Sequence, residues 1–311
     1  MKHLKLFESY SEIEIICKKY KISNWSVNSD GLVDVDGDVD ISRSKKLEEL
    51  PLKFGRVSGN FKCNNNNLKT LEGCPSYVGG NFNCILNSLN SLGGCPKVVD
   101  GYIKCGYNPL TTLEGSPREV SHFDCSYSTL TSLEGAPIKV SGNFNCNNNK
   151  LTGLEGCPVE VGGSLNCSFN ELTTLEGCPQ EVGGEFNCSN NKLVSLEGAP
   201  IKVGGDFNCS NNKLVSLKGG PSYVDWNYDC EDNQIISLDG HPKTVGEHFD
   251  INFDGNPIWD IYDLFIDWKE FIDSLDYGYL RGKSIDKKRF KEALDEIGID
   301  IPKRIKGWKW I

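Results

Sequence analysis

Apolar residues recur along this chain at an interval far longer than the period of a helix or a strand. In residues 182–200, Phe186 and Cys188 are separated by one polar residue and Leu193 and Leu196 by two, and Gly198 and Pro200 close the unit. The first apolar column is Phe61, Phe82, Ile103, Phe123, Phe144, Leu165, Phe186, Phe207 and Tyr228. Two residues later stand Cys63, Cys84, Cys105, Cys125, Cys146, Cys167, Cys188, Cys209 and Cys230. Leucine columns run from Leu68 to Leu214, closing on Ile235, and from Leu71 to Leu238, followed by glycines from Gly73 to Gly240 and prolines from Pro75 to Pro242. Each step is 21 residues except Cys105 to Cys125, which is 20. A constant period of this length marks a stack of repeated coils.

Phe-x-Cys predicts a short strand whose two ends point inward and whose middle residue points out. The two leucines turn inward after a bend. Gly and Pro then exclude a regular helix from the return path and favour an extended or polyproline-like segment. Each coil holds about five inward apolar groups, each worth roughly 1.5–3 kcal/mol gross. Chain ordering opposes this by about 1–2 kcal/mol per residue. A coil therefore folds only as part of a stack. Three residues after the cysteine runs a column of Asn66, Asn87, Asn108, Ser128, Asn149, Asn170, Asn191, Asn212 and Asn233. An amide there can satisfy backbone groups of the turn, and Ser128, with its shorter side chain, is expected to be a weaker link.

The pattern Phe-x-Cys-x-x-Asn-x-Leu-x-x-Leu resembles the leucine-rich repeat, L-x-L-x-x-N-x-L, over residues 39–258, with Phe and Cys in place of the first two leucines. The short, Pro-containing unit is similar to the compact bacterial type found in secreted effectors of pathogens. Its wording is similar to repeat proteins of tailed phages and environmental viruses. The resemblance implies a β-rich α/β solenoid: one parallel sheet of short strands, non-helical return segments, and helices capping both ends. No particular activity comes with the resemblance; a solenoid offers a broad side surface and no obvious pocket, so a non-enzymatic scaffold that binds another protein is expected, phage origin suiting a host target.

An open stack must cover its end coils, and both termini depart from the repeat. Residues 1–50 read as an N-terminal cap: a helix over 9–20 with Ile13, Ile16 and Cys17 on one side, a hairpin in which Trp25, Val27 and Leu32, Val33, Val35 flank the turn at residues 28–31, and a degenerate first coil through Val39, Ile41, Leu47 and Leu50. Residues 51–258 form the solenoid, with roughly eleven coils about 4.8 Å apart and a length on the order of 50 Å. Its last coil aligns with Val245, Phe249 and Ile251 in register, then two extra residues before Asn256. Residues 259–311 form a C-terminal cap. An amphipathic helix is expected through Trp259, Tyr262, Leu264, Phe265, Trp268, Phe271 and Ile272, and a second over 286–297 with Asp286 as N-cap and Gly298 at its stop. Trp308 and Trp310 then cover the last coil.

Net charge is −10, which disfavours nonspecific nucleic-acid binding through the body. From Lys283 onward there are nine Lys/Arg against five Asp/Glu, a basic tail that could touch an acidic partner. The start lacks the apolar run of a secretory signal, and no stretch approaches the ~20 apolar residues of a membrane span. A cytoplasmic protein, of a bacterium or an infected cell, is expected. The alternative is a virion component docking through its C-terminal tail.

Candidate chemistry is sparse. The 14 cysteines show no C-x-x-C and no zinc spacing. Those of the ladder fit small, free, buried hydrophobes. Cys74, Cys95, Cys157 and Cys178 share a column with Ser116, Ala136, Ala199 and Gly220, which asks for a small inward group. The histidines, His3, His122, His241 and His248, have no nucleophile set nearby, no phosphate-binding loop occurs, and the tail holds neither His nor Cys. No cofactor or structural metal is expected. Asp34, Asp36, Asp38 and Asp40 alternate along one strand and could offer calcium its oxygens. A solvated face above inward Val35 and Val39 explains them equally. On the strand face, Lys62, Leu86, Tyr102, Lys104, Tyr107, His122 and Tyr127 form the least repetitive patch. Exposed aromatics of this kind anchor partners, so a protein-binding site is expected there.

Overall fold

The computed structural model describes residues 10–44, 47–246, 251–265, 268–275, 280–281, 283–306 and 308–311. The Phe-x-Cys segments build one eleven-stranded parallel sheet that runs from Val39–Asp40 to Ile251–Asn252 without interruption. Equivalent residues face each other across it, Leu165 opposite Phe186 and Phe186 opposite Phe207. This follows from the pattern: Phe, Cys and both leucines of every coil are buried in one continuous core. The phenylalanines stack along the axis, with ring centroids 5.9 Å apart for Phe61–Phe82 and 5.6 Å for Phe186–Phe207.

The solenoid expected from the repeat is thus present, and its extended return segments carry a second parallel ladder. The valine three residues after each proline forms a two-residue strand, as in Val140 opposite Val161 and Val203 opposite Val224. Gly-Gly corners let successive coils approach this closely. A Cβ on Gly183 would lie 2.1 Å from the Gly162 carbonyl oxygen. This ladder is split into five strands ending at Val98–Val99 and seven beginning at Glu119–Val120. The break falls on the coil of 20 residues, where Ser121 alone stands between Val120 and His122 and two residues, often a glycine pair, stand in the 21-residue coils.

The asparagine column joins the coils. Asn191 donates through Nδ2 to the carbonyls of Cys167 (3.2 Å), Cys188 (3.0 Å) and Ser189 (3.1 Å), and its Oδ1 accepts from the Leu172 amide at 3.0 Å. Asn108, Asn149 and Asn170 repeat this set. The hydroxyl of Ser128 is buried without a hydrogen-bond partner, as its shorter side chain led one to expect.

All 14 cysteines are free. Thiols of the ladder point across to the next coil, as in Cys167 Sγ to the Asn187 carbonyl at 3.3 Å. Burial pushes the Cys146 thiol up from 9.0 to about 12.

At the N-terminus, α1 (Tyr10–Tyr20) buries Ile13 and Cys17. Trp25–Val27 pairs antiparallel with Val33–Val35, and Val33 and Val35 then start the return ladder against Phe54 and Val57. The last coil differs from the sequence alignment. Val245 faces Val224, but Ile251 faces Tyr228, so Ile251 takes the phenylalanine place and Phe253 the cysteine place. The two extra residues therefore precede the strand rather than follow it; Phe249 lies outside the described residues. The reason is the turn amide: in this register Asn256 Nδ2 donates to the Cys230 carbonyl at 2.8 Å and its Oδ1 accepts from the Ile235 amide at 2.9 Å. Beyond it, the single amphipathic helix that was expected is two short ones, α2 (Trp259–Tyr262) and α3 (Trp268–Ser274). The helix α4 (Lys287–Glu296) begins on Asp286, which accepts from the Arg289 amide at 3.2 Å, and Gly298 follows it at φ 75°. Trp308 Nε1 donates to the Pro257 carbonyl at 2.8 Å and pins the tail to the last coil.

Candidate protein-binding face

Most outward positions of the long sheet hold the coil together. In the column before the cysteine, Asn187 Oδ1 accepts from the Ser189 amide (3.1 Å) and hydroxyl (2.8 Å), closing an Asx turn at the strand end. Asn166, Asn208 and Asp124 do the same for Ser168, Ser210 and Ser126. Two positions earlier, most side chains accept from the next coil's backbone, as Asn60 does from Asn81 (2.9 Å) and Asn143 from Ser164 (2.9 Å). Two residues after each cysteine the backbone is left-handed, with φ from 50° to 56° between Asn65 and Asp232. Asparagine tolerates this region better than other non-glycine residues. The Asn/Ser-rich face that reads as bland in the sequence is therefore a set of structural ladders.

The predicted site residues are departures from these ladders. Lys62 and Lys104 stand in the Asx-turn column and cannot accept the turn amide. Tyr102 stands in the column whose side chains bridge coils, and its ring lies 5.0 Å from Lys104 Nζ. Leu86, Tyr107 and Tyr127 hold left-handed backbone at φ 55°, 53° and 51°, a conformation that disfavours such side chains by about 1–2 kcal/mol. All three are 47% exposed. The rings of Tyr107 and Tyr127 stack 4.4 Å apart and 11° from parallel. Burial, then the Tyr127 hydroxyl, raise the Tyr107 hydroxyl above its ordinary value.

His122 keeps a structural bond: its Nδ1 accepts from the Asn143 amide at 2.8 Å, which places the proton of the neutral ring on Nε2. Gly142 makes room for the ring, since a Cβ there would lie 2.2 Å from His122 Cε1. Tyr102 and His122 face each other on adjacent strands, so Tyr102, Lys104, Tyr107, His122 and Tyr127 occupy two adjoining coils, with Leu86 on the next. Lys62 is separated from Lys104 by the Asn83 strand, about 10 Å away. The two central coils are those joined by the 20-residue step, beside the gap in the return ladder and the unpaired Ser128.

Sequence reasoning left one residue out of the patch. Phe169 is 54% exposed at φ 53°, in the same column as Tyr127 and two coils further on; the column itself was the available signal. The outward face of the return ladder is internally paired, with Arg56 3.7 Å from the Tyr77 ring and Lys139 2.5 Å from Glu160.

The acidic run is committed within the structure, Asp34, Asp36 and Asp38 to the next coil and Asp40 to its own turn. Asp34 Oδ1 accepts from the Arg56 amide, Asp36 from the Ser58 hydroxyl, Asp38 from the Asn60 amide and Asp40 from the Ser42 amide. Among the described residues no three His, Cys, Asp or Glu side chains are grouped to hold a metal ion. A groove of about 240 Å³ opens where Gly153 replaces the Ser132 and Thr174 of adjacent coils, and no His or Cys lines it. His241 Nδ1 lies 3.1 Å from the Leu238 carbonyl. Among the described residues, no helix is long and apolar enough to cross a membrane.

The stacked parallel ladders, inward leucines and turn asparagines define a solenoid of short repeated coils. No protein-family model matches the chain, and no curated protein matches its sequence. Among solved structures it is similar to YopM from Yersinia enterocolitica, with 18% identity and a TM-score of 0.42, over 70% of this chain and 64% of that one. It is also similar to the leucine-rich repeat domain of APL1B, with 12% identity and a TM-score of 0.43, over 79% of this chain and 83% of that one.

Proposed function

We propose that this chain is a non-enzymatic recognition scaffold that binds a protein partner through Lys62, Leu86, Tyr102, Lys104, Tyr107, His122 and Tyr127. One observation carries the reading: nearly all of these side chains abandon a hydrogen bond or backbone preference that the same column keeps elsewhere, and they cluster on adjoining coils. Strain retained in an exposed cluster is characteristic of a functional surface. The buried, free thiols suit a reducing compartment, in keeping with action inside a bacterial or infected cell. The wording of the repeats supports a phage-encoded protein acting on a host target. Trp308 and Tyr262 of the tail are engaged with Pro257 and Phe253 of the last coil, which argues against the tail as the docking element of a virion component.

The test is capture of partners from host lysate by the wild type and by the double variant Tyr107→Asn/Tyr127→Asn. Asparagine is the residue that other coils carry at these positions, so the variant keeps its fold. Loss of a specific partner is expected; capture undiminished by the double variant rejects the patch.

A further inference from the structure

The strand face is polarised along the stack. Its N-terminal half carries Lys62, Lys104 and the tyrosines beside Asp38, Asp40 and Asp124, with Asp40 opposite Lys62 and Asp124 opposite Lys104, and the strands of its C-terminal half carry Glu185, Asp206, Asp229, Glu231 and Asp232 and no lysine. Register gives this polarity a symmetry. Counting strands from Asn145, Tyr127 belongs to the coil one before and Phe169 to the coil one after. Lys104 lies two before and Glu185 belongs to the coil two after. Lys62 lies four before and Asp229 four after.

We propose that the strand face binds a second copy of this chain, antiparallel, about a two-fold axis that lies in the interface above the strand Phe144–Asn145 and parallel to it. This deepens the partner reading and rests on it, since the same patch is used. A two-fold axis in that direction reverses the stack and keeps each column opposite itself. Tyr127 of one copy then meets Phe169 of the other, Lys104 reaches Glu185, and Lys62 meets Asp229. Each contact occurs twice, as a closed two-fold interface requires. Phe169, an exposed aromatic on left-handed backbone outside the main patch, thereby gains a counterpart. The acidic end also repels itself: burial and then the Asp232 and Asp254 carboxylates raise Asp229, and Glu231 is raised in a similar way. The continuous eleven-stranded sheet supplies a face with regular spacing for both copies.

Sedimentation velocity on the full chain at low salt tests this. The wild type is expected as a dimer that weakens at high salt. Lys104→Glu and Glu185→Lys should each weaken self-association by about tenfold or more, because like charges then meet twice. Mixing the two variants should restore a heterodimer, and the double variant Lys104→Glu/Glu185→Lys should restore the homodimer. A wild type that stays monomeric at every concentration, or charge reversals that leave association unchanged or are not rescued by mixing, overturns the proposal. A monomeric wild type that still captures a host partner, with capture lost in Tyr107→Asn/Tyr127→Asn, overturns self-association and leaves the partner reading standing.

Discussion

Replacing Ser128 by Asn should stabilise the protein. In the neighbouring coil, Asn149 Nδ2 donates to the carbonyls of Cys125 and Cys146, both at 3.1 Å, and its Oδ1 accepts from the Leu130 amide at 3.1 Å. By the same geometry, an asparagine side chain at position 128 would reach the carbonyls of Cys105 and Cys125 and accept from the amide of Leu110. Each bond contributes about 0.5–1.5 kcal/mol net. Ordering the longer side chain costs about 1 kcal/mol. The expected gain is about 1–3 kcal/mol, and the change also removes a buried hydroxyl that has no partner. Guanidinium unfolding under reducing conditions should show a higher midpoint. Hydrogen exchange should show slower exchange at the Leu110 amide. The reverse change, Asn149→Ser, should lower stability by a similar amount. If Ser128→Asn is neutral or destabilising while Asn149→Ser is costly, the additive account of the amide ladder is wrong.

Asn191→Ala removes bonds to three carbonyls and one amide and should cost about 2–4 kcal/mol in chemical unfolding, the scale of several buried groups left unpaired. Gly183→Ala places a methyl group 2.1 Å from the Gly162 carbonyl oxygen and should cost about 1–3 kcal/mol, seen as a lowered melting temperature. Because burial raises the Cys146 thiol from 9.0 to about 12, its contribution to stability is complete below pH 9. It is lost as pH rises from 9 to 12, where the unfolded thiol ionises and the folded one does not. Melting temperature against pH measures this, and iodoacetamide at neutral pH should label the ladder cysteines only after denaturation.

Architecture was legible because each buried column repeats in register, and a burial pattern is what sequence displays best. Phe186, Cys188, Leu193 and Leu196 identify an inward face without reference to any other coil. The second ladder was less visible. Val182 and Val203 recur as faithfully as the leucines, but three residues between proline and glycine carry too little pattern to mark a strand. The register of the last coil was misjudged because Ile251 and Phe253 are both apolar, and the decision rests on where Asn256 can bond. On the binding face, the exposed tyrosines stood out as irregular in sequence. What sets the patch apart, left-handed backbone at Tyr107 and Tyr127 and Asx turns forfeited at Lys62 and Lys104, is geometry that composition does not express. Phe169 was passed over because nothing beside it in the chain is unusual.

The short coil between Cys105 and Cys125 has a mechanical consequence. Here the return ladder is open between Val99 and Val120, and Ser128 fails to bridge, so the rod is held across this joint chiefly by its long sheet and by its core. Stability in such a stack is close to a sum over neighbouring coils, and the weakest junction is where opening begins. A partner seated on Tyr107 and Tyr127 would straddle that junction. It would act as a splint, making the rod stiffer when occupied than when empty, and amides flanking the joint would report occupancy by exchanging more slowly.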